Sequence, residues 1–201
     1  MKLRNFHAAL KECLSDIDPN SHPFVCDGSP FGRRIVIVGH NPATRLSEPF
    51  WSYWDDTTGF KKTKFLKHYC AQRGKLKGAR QRIEKIAEAI GQENVLDTNI
   101  YVPATRTEAE LSAKDKKTEV IRFLLPMFSP RIVWAHGWKA IKFFRKNCIG
   151  FERATSIPQP VSFGGVQFNI ICSRHLSRIG IEDAIQIAKG LIRTLDGGGY
   201  P

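Results

Sequence analysis

The run Arg34-Ile35-Val36-Ile37-Val38-Gly39-His40-Asn41-Pro42-Ala43-Thr44 places four β-branched residues in a row and then stops at a glycine. An unbroken apolar run of that kind reads as a strand buried on both faces, the pattern of a parallel sheet. Gly39 has access to backbone angles closed to other residues. Pro42 fixes its own φ and lacks an N–H, so the chain turns here. In α/β sheets, ligands gather beyond the carboxyl ends of the strands. His40, Asn41 and Thr44 are therefore the first polar side chains this strand delivers to a site.

Three further segments repeat the pattern. Val95–Tyr101 reads as a strand ended by Pro103, Arg131–Gly137 as a strand ending in Gly, and Val166–Cys172 as a strand leading into Ser173–Arg178. Between them the apolar residues recur at helical spacing. The spacing predicts helices over residues 3–17, 62–71, 79–90, 114–128 and 181–195, and one after Gly137 carrying Ala140, Ile141, Phe143 and Phe144. Residues 19–32, rich in Pro, Asn, Ser and Gly, read as loop. Strands alternating with helices imply an α/β three-layer sandwich, a central four-stranded parallel sheet with helices on both faces. No repeat or linker interrupts residues 1–201, so one domain is expected, with 196–201 as a flexible tail.

The 201 residues suffice for one such domain, and 42% hydrophobic with 25% charged residues is an ordinary globular composition. No apolar run approaches the roughly 18 residues that span a bilayer. No apolar h-region follows the charged start, so a cytoplasmic, intracellular protein is expected. The five cysteines are scattered, without a Cys-x-x-Cys pair, so reduced thiols are expected and neither a zinc ribbon nor an iron–sulfur cluster is supported. No cofactor or metal is called for, and a monomer without a membrane partner is expected.

The net charge of +12 favours polyanionic partners, nucleic acid first. Its distribution is uneven: from Lys61 to Lys85 there are ten Lys or Arg against one acid, Glu84. Such a block could track a phosphate backbone or could simply be a solvated helix face. A second local feature is the aromatic set Phe50, Trp51, Tyr53, Trp54 and Phe60, which follows no period. It reads either as a loop plugged onto the core or as a wall of rings lining a pocket.

If the sheet is parallel, three strand ends meet at one edge: Gly39–Thr44, Asn99–Pro103 and Ser173–Arg178. Their polar groups are Asn41, Asn99, His175 and Ser177, with Asp97 the only carboxylate nearby. Metal-assisted hydrolysis wants several carboxylates or histidines at ligand spacing and finds little support here. A small-molecule enzyme on a Rossmann-like sheet also lacks support. There is no Gly-x-Gly-x-x-Gly after the first strand and no Gly-Lys-Ser/Thr phosphate loop.

With these segments in view, the chain resembles the uracil-DNA glycosylase superfamily over roughly residues 34 to 195. Gly39-His40-Asn41-Pro42 resembles that family's first motif in the form used by its mismatch-specific and single-strand-selective branches. The strand carrying Thr98-Asn99 resembles the segment that supplies a base-reading Asn, and Pro130–Gly137 resembles the family's connecting strand. His175-Leu176-Ser177 resembles its second motif, usually His-Pro-Ser. Ala43 stands where a Gly commonly follows Asn-Pro, and Leu176 stands where Pro is usual.

The resemblance implies a monofunctional DNA glycosylase that excises uracil or a related deaminated base during base excision repair, with DNA as partner. Asn41 would position the attacking water, since an amide orients rather than deprotonates. His175 would stabilise charge growing on the departing base, unless it is only a loop histidine. Asn99 would read the base edge through its two-sided amide, or bond the loop backbone instead. The implied base pocket contains Gly39, His40, Phe50, Trp51 and Asn99, with Phe50 and Trp51 the preferred stacking rings and Trp54 and Phe60 behind them. Thr44, Arg45, Lys61, Lys62, Arg174, Ser177 and Arg178 are the expected DNA contacts. A second reading keeps fold and charge but not catalysis: a nucleic-acid-binding protein, motivated by Ala43 and Leu176.

Overall fold

The structure is a computed structural model, and it describes residues 2–105 and 107–197. The elements run α1 (Leu3–Cys13), β1 (Phe24–Cys26), β2 (Ile35–Gly39), a small hairpin of β3 (Trp54–Asp55) and β4 (Gly59–Phe60), α2 (Lys62–Arg73) and α3 (Gly78–Ile90). They continue through β5 (Val95–Asn99), α4 (Glu119–Phe128), β6 (Ile132–His136), α5 (Trp138–Asn147), β7 (Gln159–Phe163), β8 (Val166–Ser173) and α6 (Ile181–Leu195). Of the tail expected at 196–201, Asp196 and Gly197 form a turn after α6, and 198–201 lie outside the described residues.

The central sheet has six strands in the order β1-β5-β2-β6-β8-β7, which corrects the expected four. The four inner strands are the four read from the sequence, and they pair in parallel. The additions are the two edges, β1 and β7, both antiparallel. Three residues of β1 inside a Pro- and Gly-rich stretch are too few to show a period. β7 contains Pro160, which cannot donate to a ladder and is tolerated at an edge. A readable signal was present, because Gly164 and Gly165 both have positive φ (57° and 83°). Two such residues make the Gly-Gly turn that joins a tight hairpin.

The side chains of β2 alternate between two cores. Ile35 and Ile37 pack with Ile83, Ile86 and Ala87 of α3 and with Ala184, Ala188 and Leu191 of α6. Val36 and Val38 face the other way, toward Phe6 and Leu10 of α1, Val120, Ile121, Leu124, Leu125 and Phe128 of α4, and Ala140 and Phe144 of α5. Helices therefore cover both faces. That is why β2 carries no polar position along its length, with all five residues buried.

The order of the inner strands positions the site. From β2 the chain moves to β5 on one side, then crosses back to β6 on the other. Crossovers leaving a strand in opposite directions open a crevice beyond the carboxyl ends of the two strands between them. Here those ends are Gly39-His40-Asn41 and His136-Gly137. No helix among the described residues is long and apolar enough to cross a membrane.

Candidate active site

A cavity of about 310 Å³ opens at this crevice, lined among others by Asn41, Thr44, Thr98, Asn99, His136, His175 and Ser177. It lies at the lower end of the range for small-molecule sites. The polar groups named from three strand ends, Asn41, Asn99, His175 and Ser177, therefore share one wall system.

Pairing between the β2 and β5 chains continues past the strands. Gly39 is in register with Asn99, the Ile100 N–H donates to the Gly39 carbonyl at 3.0 Å, and the Tyr101 N–H donates to the His40 carbonyl at 2.9 Å. This zipper holds Asn99 against Gly39 so closely that a Cβ on residue 39 would lie 2.6 Å from Asn99 Oδ1 and 3.0 Å from His136 Nε2. Glycine at 39 is thus required by the approach of two site residues rather than by backbone angles.

Asn41 is held at both ends of its amide. Nδ2 donates to Thr105 Oγ1 at 2.8 Å, and Oδ1 lies 3.0 Å from His40 Nδ1. The Thr105 N–H in turn donates to the Pro42 carbonyl at 3.0 Å, closing the turn on itself. A carbonyl oxygen has two lone pairs, so with one taken by His40 the Asn41 amide keeps one acceptor position at a fixed angle. Burial moves the His40 imidazole below its ordinary range, opposed by the bond to Asn41.

Two histidines pack edge to face on the β6–β8 side of the crevice, their ring centroids 4.9 Å apart and their planes 75° from parallel. Both use Nδ1 as an acceptor for a backbone N–H of one turn: Leu176 donates to His136 at 3.5 Å, and Ser177 donates to His175 at 3.3 Å. This assigns the neutral tautomer carrying its proton on Nε2 in both rings. Complete burial, and next the nearby His175, push His136 down to about 3. Burial, then Arg178, lowers His175. At neutral pH both rings are uncharged N–H donors. Sequence reasoning missed His136. Its signal was an apolar strand ending in a His beside a Gly, as the first strand also does, though in the opposite order.

Leu176, which replaces the Pro of the resembled motif, is fully buried in the α3–α6 core. It anchors the 175–178 turn by packing. Arg82 adds a bond from Nε to the Ile179 carbonyl at 3.0 Å.

The expected stacking rings are elsewhere. Phe50 is 1% exposed and packs on Phe24 and Phe60, and Trp51 lies against His7 of α1 at 4.5 Å. Neither lines the cavity, and neither do Trp54 and Phe60. The plug reading of this stretch is the right one, because a fold edge covered by a loop needs large apolar side chains to seal it. The rings in the cavity wall are Phe24, Phe65 and Tyr69. Phe65 and Tyr69 sit four apart on α2, a spacing that reads as plain core. His22 joins them; it is buried, its Nε2 has no hydrogen-bond partner, and burial pushes it down to about 4.

The expected DNA contacts divide. Thr44 and Ser177 line the cavity, and Arg174 and Arg178 line an adjoining hollow. Arg45 pairs with Asp18 at 2.6 Å, and Lys61 with Asp55 at 3.0 Å. Lys62 is a correction: it is 5% exposed and bound to Glu84 at 2.7 Å and Gln92 at 2.6 Å, so it cannot meet a phosphate. Asp97, the only carboxylate in the cavity wall among the described residues, is held bidentate by Arg80 at 2.7 Å on each oxygen. Among the described residues no cluster of three or more His, Cys, Asp or Glu could hold a metal ion. No protein-family model matches the chain, and no curated protein matches it.

Proposed function

We propose that the protein is a DNA glycosylase that hydrolyses the N-glycosidic bond of uracil or a related deaminated base, on a uracil-DNA glycosylase-like fold. The observation that carries this is the convergence of Asn41, Asn99, His136 and His175 on the wall of one cavity in which Asp97, the only carboxylate among the described lining residues, is paired with Arg80. A base is chemically a set of amide-like edges on a flat ring, and these groups are its complement. Cations at the mouth, Arg73 and Lys77 on one side and Arg174 and Arg178 on the other, suit the phosphates of a flipped nucleotide.

In this reading the free lone pair of Asn41 Oδ1 accepts a bond from water and aims its oxygen at the sugar carbon. As the carbon–nitrogen bond breaks, its electron pair leaves with the base. The base is then an anion, and the His175 Nε2–H donates to it. A preorganised neutral donor is well suited to charge that appears only in the transition state. The proton lost by the attacking water ends on the released base. Asn99 holds the base edge, and Phe65 or Tyr69 meets its face.

The test is a panel of oligonucleotides carrying uracil, hypoxanthine, xanthine or mismatched thymine, single- and double-stranded, scored for abasic sites. Excision of at least one is expected. His175→Ala should lower the rate by about 100- to 1,000-fold, the usual cost of losing one such donor. Asn41→Ala should also lower it sharply. No excision on any substrate sinks the reading. The second reading, a non-catalytic binder, is favoured by the engagement of the Asn41 amide by both His40 and Thr105. It requires salt-dependent DNA binding that Asn41→Ala leaves unchanged.

A further inference from the structure

Two further hollows adjoin the crevice. One, of about 660 Å³, shares His136, His175 and Ser177 with the candidate active site. The next, of about 400 Å³, shares His40, Trp138 and Lys139 with the second and runs along α5. The three hollows adjoin one another through these shared wall residues, a trench-like series whose walls include Asn41 and Lys146. Among the described residues, neither outer hollow has an acidic residue in its wall. Their cations come from three places in the chain: Arg174 and Arg178 after β8, Arg122 on α4, and Lys139, Lys142 and Lys146 on α5.

Trp138 stands where the two outer hollows meet. It is 65% exposed, although most of the chain's aromatic rings are buried. It is not drawn there by packing: α5 is seated by Ala140 and Phe144, on its other face. Lys142, one turn on, holds its Nζ 5.0 Å from the indole centroid. Arg122 is braced over Phe143 and Phe163 at 5.9 and 5.6 Å. An open indole beside an all-cationic groove fits one polymer chemistry, a negative backbone with flat rings exposed along it.

We propose that the trench takes a single-stranded DNA segment, with one unpaired base stacked on Trp138 and its phosphates along Lys142, Lys146 and Arg122. A duplex hides its base faces and cannot use the indole, so the groove selects single strands. The proposal rests on the glycosylase reading only for the kind of polymer bound.

The experiment measures binding of the full chain to a labelled dT oligomer and to a hairpin duplex by fluorescence anisotropy, with Trp138→Ala and Trp138→Phe. Stacking on one aromatic corresponds to a loss of about 5- to 160-fold when the ring is removed. That loss is expected for the single strand with Trp138→Ala, with most of the affinity restored by Trp138→Phe and less than about a twofold change for the duplex. Circular dichroism melting should match the parent, since the indole supports no core. Unchanged single-strand affinity, or an equal loss on duplex, overturns the proposal. So does an rU oligomer that outcompetes dT, which would assign the trench to RNA, or polyglutamate that competes as well as dT. Uracil excision is scored on the same samples. No excision together with Trp138-dependent binding would sink the glycosylase reading and leave this one standing.

Discussion

Between Lys61 and Lys85 the chain carries ten cations against one acid, and between Trp138 and Lys146 it carries four against none. The first block is the larger, yet much of it is turned to structure. Lys62 and Arg80 both reach Glu84, Arg80 also clamps Asp97, Lys61 pairs with Asp55, and Lys85 pairs with Glu88. Arg82 ties α3 to the carbonyl of Ile179. In the second region Lys139, Lys142 and Lys146 line an open groove beside an exposed indole. Charge density along a sequence therefore says how many cations a chain has, not which way they face. A cation on the buried face of a helix is neutralised by its neighbours, whereas one on the open face is turned toward solvent.

The contrast is broken or sharpened by substitution. The largest effect is expected from Arg80→Leu, which leaves Asp97 and Glu84 buried with a partner lost. Removing one member of a buried ion pair costs about 3–5 kcal/mol, which chemical denaturation would measure. A cost below about 1 kcal/mol would mean that the block is surface after all.

Acid should have the next largest effect, on the core that both regions pack around. His136 and His22 stay neutral in the fold down to about 3 and about 4, whereas an unfolded histidine protonates near 6.5. The unfolded chain then binds more protons, so stability is full above about pH 6.5 and falls as pH drops toward the folded values. By pH 5 the loss is on the order of 2 kcal/mol per histidine. Melting between pH 7 and 5 should show the fall, and His22→Gln should flatten it. A melting temperature independent of pH would contradict the burial of both rings.

Smaller again is the effect of Lys142→Ala or Lys146→Ala. Each should lower the salt dependence of DNA binding by about one unit of slope and leave melting unchanged. The smallest belongs to Lys67→Ala and Lys75→Ala, exposed members of the first block. Stability should move by less than about 0.5 kcal/mol. If either weakened DNA binding more than Lys146→Ala, the assignment of the two regions would be reversed.

The legible parts of the fold are those whose burial is written in local pattern. The strand at 34–38 was readable because a strand covered on both faces tolerates no polar residue. The last helix, expected over 181–195, spans Ile181–Leu195 because its apolar face keeps its period to the end. Boundaries set by local chemistry were less clear. The helix expected from 114 begins at Glu119, since Ser112 and Asp115 cap a separate short turn. The first helix ends at Cys13 rather than 17, although Leu14 and Ile17 still pack on the core.

By itself the sequence determined the parallel strands and the three polar strand ends, because two-sided burial and glycine or proline turns are properties of contiguous residues. Only the tertiary structure decided which groups complete the cavity. His136 enters through the crossing of the chain from β5 to β6. Phe65 and Tyr69 displace Phe50 and Trp51 because α2 leans over the crevice. Arg80, Lys62 and Trp138 take their roles from the face on which their helices are buried. Each of these is a relation between residues far apart in the chain, and no periodicity within one segment records it.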